Sequence, residues 1–165
     1  MNELKTKLTK EIPYKWRVQS FSKFKPSASC VAYIDARDVM DLLDDAVGIE
    51  NWQSDYKSIG SQIYAGLGIK VNNEWVWKWD VGAETDIESE KGQASDAFKR
   101  AAVKWGIGRF LYNLDIKYLP TNGIKGDADA DKGGVIYKKY PSVVHPVTHA
   151  VVYDITKCIK ETSKK

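Results

Sequence analysis

Cysteine and histidine are scarce in this chain. Cys30 and Cys158 stand far apart with no metal or dithiol spacing, so a reduced, intracellular protein is expected. His145 and His149 have i,i+4 spacing, but Pro146 argues against one helix carrying both, and no third ligand stands nearby. No apolar run approaches the length of a membrane span. The first ten residues are polar and do not read as a secretion signal, so a cytoplasmic chain is expected, in a bacterium or a phage-infected host. The phosphate-cradling pattern GxxxxGK[ST] is missing, as are GxSxG and the HxE…CxxC deaminase pattern. Asp127, Asp129 and Asp131 imitate the start of a calcium loop, but Lys132 and Lys138 stand where that loop requires Gly and an acid. What survives these absences is a binding protein rather than an enzyme, with no cofactor and no metal.

The chain has 165 residues, 43% of them hydrophobic, enough for one domain with a proper core. A net charge of +3 says little, but its distribution says more. Residues 1–26 are rich in Lys and Arg (Lys5, Lys7, Lys10, Lys15, Arg17, Lys23, Lys25). Residues 35–55 are acidic (Asp35, Asp38, Asp41, Asp44, Asp45, Glu50, Asp55). Residues 80–96 are acidic again, and residues 99–109 hold Lys99, Arg100, Lys104 and Arg109 with no acid. Separated blocks of opposite sign suit a polyanionic partner, head-to-tail self-association, or both.

The organising stretch is Gly92–Leu114. Ser95 is a candidate cap, and Ala94, Ala97, Phe98, Ala101 and Trp105 recur at helical spacing on one face. Lys99, Arg100 and Lys104 fall on the other side, a cationic front that either binds phosphates or only keeps the helix wet. Gly106 and Gly108 weaken the end of the helix or admit a close backbone. Upstream, residues 1–12 form a short amphipathic helix ended by Pro13, and YKWRVQSFSKFK interleaves aromatics with bases. That segment is either a stacking arm or a basic strip whose aromatics pack inward. Cys30–Ile34 reads as a buried strand, and Asp35 caps a helix over 36–47 that Gly48 stops. Its acids Asp38, Asp41, Asp44 and Asp45 read as a solvated face or as half of a subunit contact.

From Asn51 to Gly82 the alternation predicts three antiparallel strands: Trp52–Ile59, Gln62–Val71 and Glu74–Val81, with turns at Gly60-Ser61 and Asn72-Asn73. The second turn pairs Lys70 with Trp75, Gly68 with Trp77 and Gly66 with Trp79, leaving room for indoles over glycines. Three tryptophans on one face are either the core under the Gly92–Leu114 helix or a platform for bases. The core is the expectation, with Lys57, Lys78 and Ile69 on the more exposed face. Residues 121–134 read as a loop, and Val135–Lys165 as extended chain followed by a short helix or tail.

Ala94-Ser-Asp-Ala-Phe-Lys-Arg-Ala101, then Gly106 and Leu111, resembles the signature helix of the Rad52 superfamily of single-strand annealing proteins, including its phage Sak-type and DdrA-like branches. Tyr33-Ile34-Asp35 with Val39 and Leu42, Gly48 with Trp52, and Asp80-Val81-Gly82 resemble further family motifs in the right order. The likeness covers about residues 10–114 and leaves 115–165 unassigned. It implies an α+β fold with a β-β-β-α core, an antiparallel three-stranded sheet on a long helix, assembled into a ring or filament. It implies ATP-independent binding and annealing of single-stranded DNA in recombination and repair, with a homo-oligomer, an exonuclease or a single-strand binding protein as partners. Lys99 and Arg100 match the family's groove pair. The family's next base falls at Val103, beside Lys104, and its Arg at the start of the first helix falls at Asp38, beside Arg37. With Lys15, Arg17, Lys57 and Lys78, these are the candidate nucleic-acid-binding residues. Two rivals remain: a single-strand binding module that does not anneal, and a metal nuclease using Asp80, Glu84 or Asp86.

Overall fold

The computed structural model describes residues 2–83, 90–125, 129–132, 135–138 and 140–163. Within them the order is α1 (Asn2–Thr9), β1 (Lys15–Phe21), β2 (Ser27–Tyr33), α2 (Ala36–Val47), β3 (Trp52–Ile59), β4 (Gln62–Val71), β5 (Glu74–Val81), α3 (Glu90–Lys104), β6 (Lys117–Pro120), β7 (Asp129–Lys132), β8 (Val135–Lys138) and α4 (Ile155–Thr162). The fold is α+β with antiparallel sheets. Its residues gather into two compact units: Met1–Pro13 with Ile34–Asn113, and Tyr14–Tyr33 with Leu114–Lys165.

The first unit holds the antiparallel sheet β3-β4-β5. Asn72 and Asn73 both adopt positive φ, 51° and 65°, as a two-residue hairpin turn requires. That turn sets the register Lys70–Trp75, Gly68–Trp77 and Gly66–Trp79. Because side chains alternate, Ala65, Leu67 and Ile69 share one face of the central strand, and all three are buried. Ala97, Phe98, Ala101 and Ala102 of α3 are buried with them, and Trp105 donates its indole N–H to the Leu67 carbonyl at 3.0 Å. Full burial of Leu67 or Ile69 contributes about 1.5–3 kcal/mol each.

The tryptophans occupy the other face. Trp75, Trp77 and Trp79 pair with Lys70, Gly68 and Gly66, whose side of β4 points away from α3. This corrects the expectation that they form the core under the helix. The expected grouping of Lys57, Lys78 and Ile69 also divides. Lys78 lies opposite Leu67 on the helix face, while Lys57 lies opposite Tyr64 and over the Trp79 ring, on the tryptophan face. The physical reason is the central strand: a lane of Gly66, Gly68 and Lys70 offers a helix no apolar side chains to pack against, whereas Ala65, Leu67 and Ile69 do.

Helix α2 has the predicted cap, with more detail than the sequence foretold. Asp35 accepts from the Asp38 N–H at 3.0 Å and Asp38 accepts from the Asp35 N–H at 2.9 Å, a capping box. Asp38 is therefore not part of a free acidic face. Asp44 accepts the Trp52 indole N–H at 2.7 Å, and Asp45 pairs with Lys10 at 2.9 Å. The hydrogen bond and charge of Lys10 hold the Asp45 carboxyl below its ordinary range. Helix α3 starts at Glu90, ahead of the expected Ser95 cap, so Ser95 lies inside it. It stops at Lys104, after which Gly106 and Gly108 take φ of 96° and 78° and lead into a short 3-10 turn, Arg109–Asn113.

In the second unit, β6 pairs with β2, so the sheet runs β1-β2-β6. Its core comprises Trp16, Ala28, Cys30, Leu119, Val143, Cys158 and Ile159. Asp154 caps α4 by accepting from the Lys157 N–H at 3.0 Å, and Trp16 donates its backbone N–H to Thr156 Oγ1 at 3.0 Å. Both cysteines are free and buried. Burial first, then the charge of Cys158, pushes the Cys30 thiol up to about 11. His145 Nδ1 accepts from the Val147 and Thr148 N–H groups, so the two histidines lie in a turn rather than a helix. Strands β7 and β8 pair antiparallel; β7 lies in the stretch that reads as loop, and β8 opens the stretch that reads as extended. Asp127, Lys164 and Lys165, together with Glu84 and Asp86, lie outside the described residues.

Candidate nucleic-acid interface

Helix α3 is held on the sheet at both ends. At the N-terminal side, Asp96 accepts the Ala83 N–H at 2.8 Å, and a Cβ on Gly82 would collide with the Gln93 carbonyl. At the C-terminal side, cations meet the carbonyls that end the helix. Lys78 reaches the Lys104 carbonyl at 3.2 Å, and Arg109 donates to the carbonyls of Val103 at 2.8 Å and Lys104 at 3.0 Å. Positive charge there complements both the orphan carbonyls and the negative end of the helix dipole. Lys78 also lies 4.6 Å from the Trp105 ring centre. Lys104 turns to the edge strand, donating to the Trp79 carbonyl and standing 4.0 Å from Asp80.

On the second half of α3, Lys99 is half-buried and Arg100 exposed, while Lys104 turns to the sheet. Arg100 is exposed and linked to Asp96 at 3.0 Å, one turn earlier. That exposed i,i+4 pair is worth only about 0.3–0.5 kcal/mol, so an incoming phosphate competes with it readily. Lys104 and Lys78 come together at the end of α3, where Arg109, absent from the candidate set, joins them. Its signal was in the sequence: a base just past the glycines that end a helix is placed to cap its last carbonyls.

The other candidates are placed elsewhere. Arg37 is exposed in the first turn of α2. Lys57 stands 4.5 Å from the Trp79 ring centre on the tryptophan face. Lys15 and Arg17 belong to the second unit, where they flank the Tyr33 ring at 6.0 and 5.4 Å. Trp16 between them points into the core, so the segment alternates, buried aromatic inside and exposed bases outside. Asp80, the described member of the nuclease trio, accepts from the Val81 N–H at 2.8 Å. Among the described residues no group of three His, Cys, Asp or Glu side chains could hold a metal, and no helix is long and apolar enough to cross a membrane.

Comparison with known proteins meets this geometry from another direction. The family model of the Rad52/22 family double-strand break repair protein matches residues 1–66 and 62–127. The chain is 34% identical over 112 residues to the single-stranded DNA-binding protein DdrA of Deinococcus deserti, covering 67% of this chain and 55% of that protein. It is 34% identical over 101 residues to DdrA of Deinococcus radiodurans, covering 60% of this chain and 48% of that protein. The chain thus spans about half the length of the curated relatives it matches. No solved structure matches. The family match spans both the strand-to-helix entry at α2 and the α3 helix that carries Lys99 and Arg100, and the chain belongs to the Rad52/22 family of double-strand break repair proteins.

Proposed function

We propose that this chain binds single-stranded DNA and, as a homo-oligomer, anneals complementary strands without ATP in recombination or repair. The observation that carries the reading is the adjacent Lys99/Arg100 pair on α3, with Arg100 exposed and held only by Asp96 one turn earlier, in a chain related to proteins named for single-stranded DNA binding. Annealing needs phosphates held firmly and bases left free to pair. Charge contacts supply the first, and they carry no sequence information. A ring or filament of subunits would add weak contacts along one strand. Arg37, Lys15, Arg17 and Lys57 are further exposed bases available to the backbone, and Lys78 and Lys104 set the end of the helix against the sheet. An exonuclease or single-strand binding protein would supply or protect the substrate. No step calls for a cofactor or a catalytic residue, and the cytoplasm, with the DNA, is the expected compartment.

The test is annealing of two complementary labelled oligonucleotides without ATP, parent against Lys99→Ala/Arg100→Ala at matched assembly state. Annealing by the parent and its loss in the variant is expected. Tight binding by the parent with no annealing would make this a protecting or recruiting module instead.

A further inference from the structure

The tryptophan face of the β3-β4-β5 sheet is unlike the cover of an ordinary core. Several ring atoms of Trp79 crowd the position of a Cβ on Gly66 almost equally, at 2.6, 2.7 and 2.8 Å, and Trp77 does the same over Gly68 at 2.8, 2.9 and 3.0 Å. Each indole therefore lies flat on a glycine, with its other face turned away from the strand. The two rings are nearly parallel, 25° apart with centres separated by 5.9 Å, so they form one platform rather than a herringbone. Trp75 continues the row and is 40% exposed. Trp77 and Trp79 are half-buried, and Lys57 stands over the Trp79 ring at 4.5 Å.

The rest of the face decides what fits it. Register places Gln53, Asp55, Lys57, Tyr64 and Lys70 beside the indoles, with Ile59 and Val81 at the strand ends. Asp55 turns its carboxylate to the Tyr56 N–H at 2.9 Å. Protein interfaces are depleted in lysine and apolar at their centres. Here the centre is flat aromatic surface edged by Lys57 and Lys70. Flat rings beside cations match unpaired bases joined by phosphates, since every base has a face to stack and every link a charge to neutralise.

We propose that Trp77 and Trp79, with Trp75 and the flanking Lys57 and Lys70, form a stacking platform for the unpaired bases of a single strand, separate from the phosphate contacts of α3. The proposal rests on the single-strand binding reading above and adds a base-contacting surface to it. Lys57 would leave the Trp79 ring for a phosphate as a base takes its place.

The experiment compares an oligothymidylate with an abasic deoxyribose-phosphate oligomer of equal length, following intrinsic tryptophan fluorescence and affinity. Quenching and tighter binding by the oligothymidylate alone are expected. Trp77→Ala/Trp79→Ala should weaken its binding roughly tenfold or more, with little change for the abasic oligomer. Trp77→Phe/Trp79→Phe, which keeps flat rings over the glycines, should restore most of the affinity, so simple misfolding is separated from loss of stacking. Equal binding of the two oligomers by the parent would overturn the platform while leaving strand binding intact. Loss of assembly in the Ala variant at unchanged DNA affinity would also overturn it, marking the face as a subunit contact. No binding of either oligomer at low salt would defeat the strand-binding reading and the platform together.

Discussion

The two faces of the β3-β4-β5 sheet use large side chains for opposite ends. On one, Ala65, Leu67 and Ile69 are buried under α3, with Trp52 held between the Asp44 carboxylate and the Phe98 ring. On the other, the bulkiest residues of the strand lie flat on glycines beside Lys57. On the central strand, small and aliphatic residues face the helix, and the β5 tryptophans lie on the far side, Trp75 exposed and Trp77 and Trp79 half-buried. Size alone does not decide which face of a strand is buried. The side chains of the central strand do, because its buried middle packs against the helix.

The largest effect that would break this contrast is cavity formation. Leu67→Ala should lower stability by about 2–5 kcal/mol in denaturant unfolding, while Trp75→Ala on the opposite face should change it by less than about 1 kcal/mol. Equal losses would mean that both faces are core. Next comes overpacking beneath an indole. Gly66→Val should cost about 1–3 kcal/mol and abolish the near-ultraviolet circular dichroism of the coupled Trp77 and Trp79, because the new side chain takes the space of the Trp79 ring. An unchanged spectrum would place that ring elsewhere. A smaller loss is expected for Trp105→Phe, which removes the indole hydrogen bond to Leu67 but keeps the ring: about 0.5–1.5 kcal/mol by thermal or chemical melts. The smallest belongs to the outer side of α3. Arg100→Ala should change stability by no more than about 0.5 kcal/mol while weakening single-strand binding, which would separate the wet side of the helix from its packed side.

Much of the first unit was legible in the sequence. The strand limits and hairpin register follow from alternation and from Asn72-Asn73, and α2 from Asp35, its apolar spacing and Gly48. The side of the sheet that meets the helix was misjudged, though its signal was present: the glycine and lysine lane of β4 against its aliphatic lane. The start of α3 was placed late because the acidic residues before it read as a linker. Lys99 is half-buried, and Arg100 beside it was legible as an exposed base of the helix. The intramolecular roles of Lys104, Lys78 and Arg109 were not, since they depend on where the helix ends relative to the edge strand. The pairing of β2 with β6 escaped because it joins segments distant in sequence through a strand of only four residues.

The most direct measurement of the central claim is the salt dependence of affinity for a short oligothymidylate, parent against Lys99→Ala/Arg100→Ala. Each phosphate contact on a single strand contributes about 0.7 to the slope of log affinity against log salt, so loss of two should flatten it by about 1.4 per protomer engaged. A slope that flattens by that amount would place the phosphates on the outer side of α3. An unchanged slope, with affinity intact, would mean that this pair does no more than keep the helix in water, and would contradict the account.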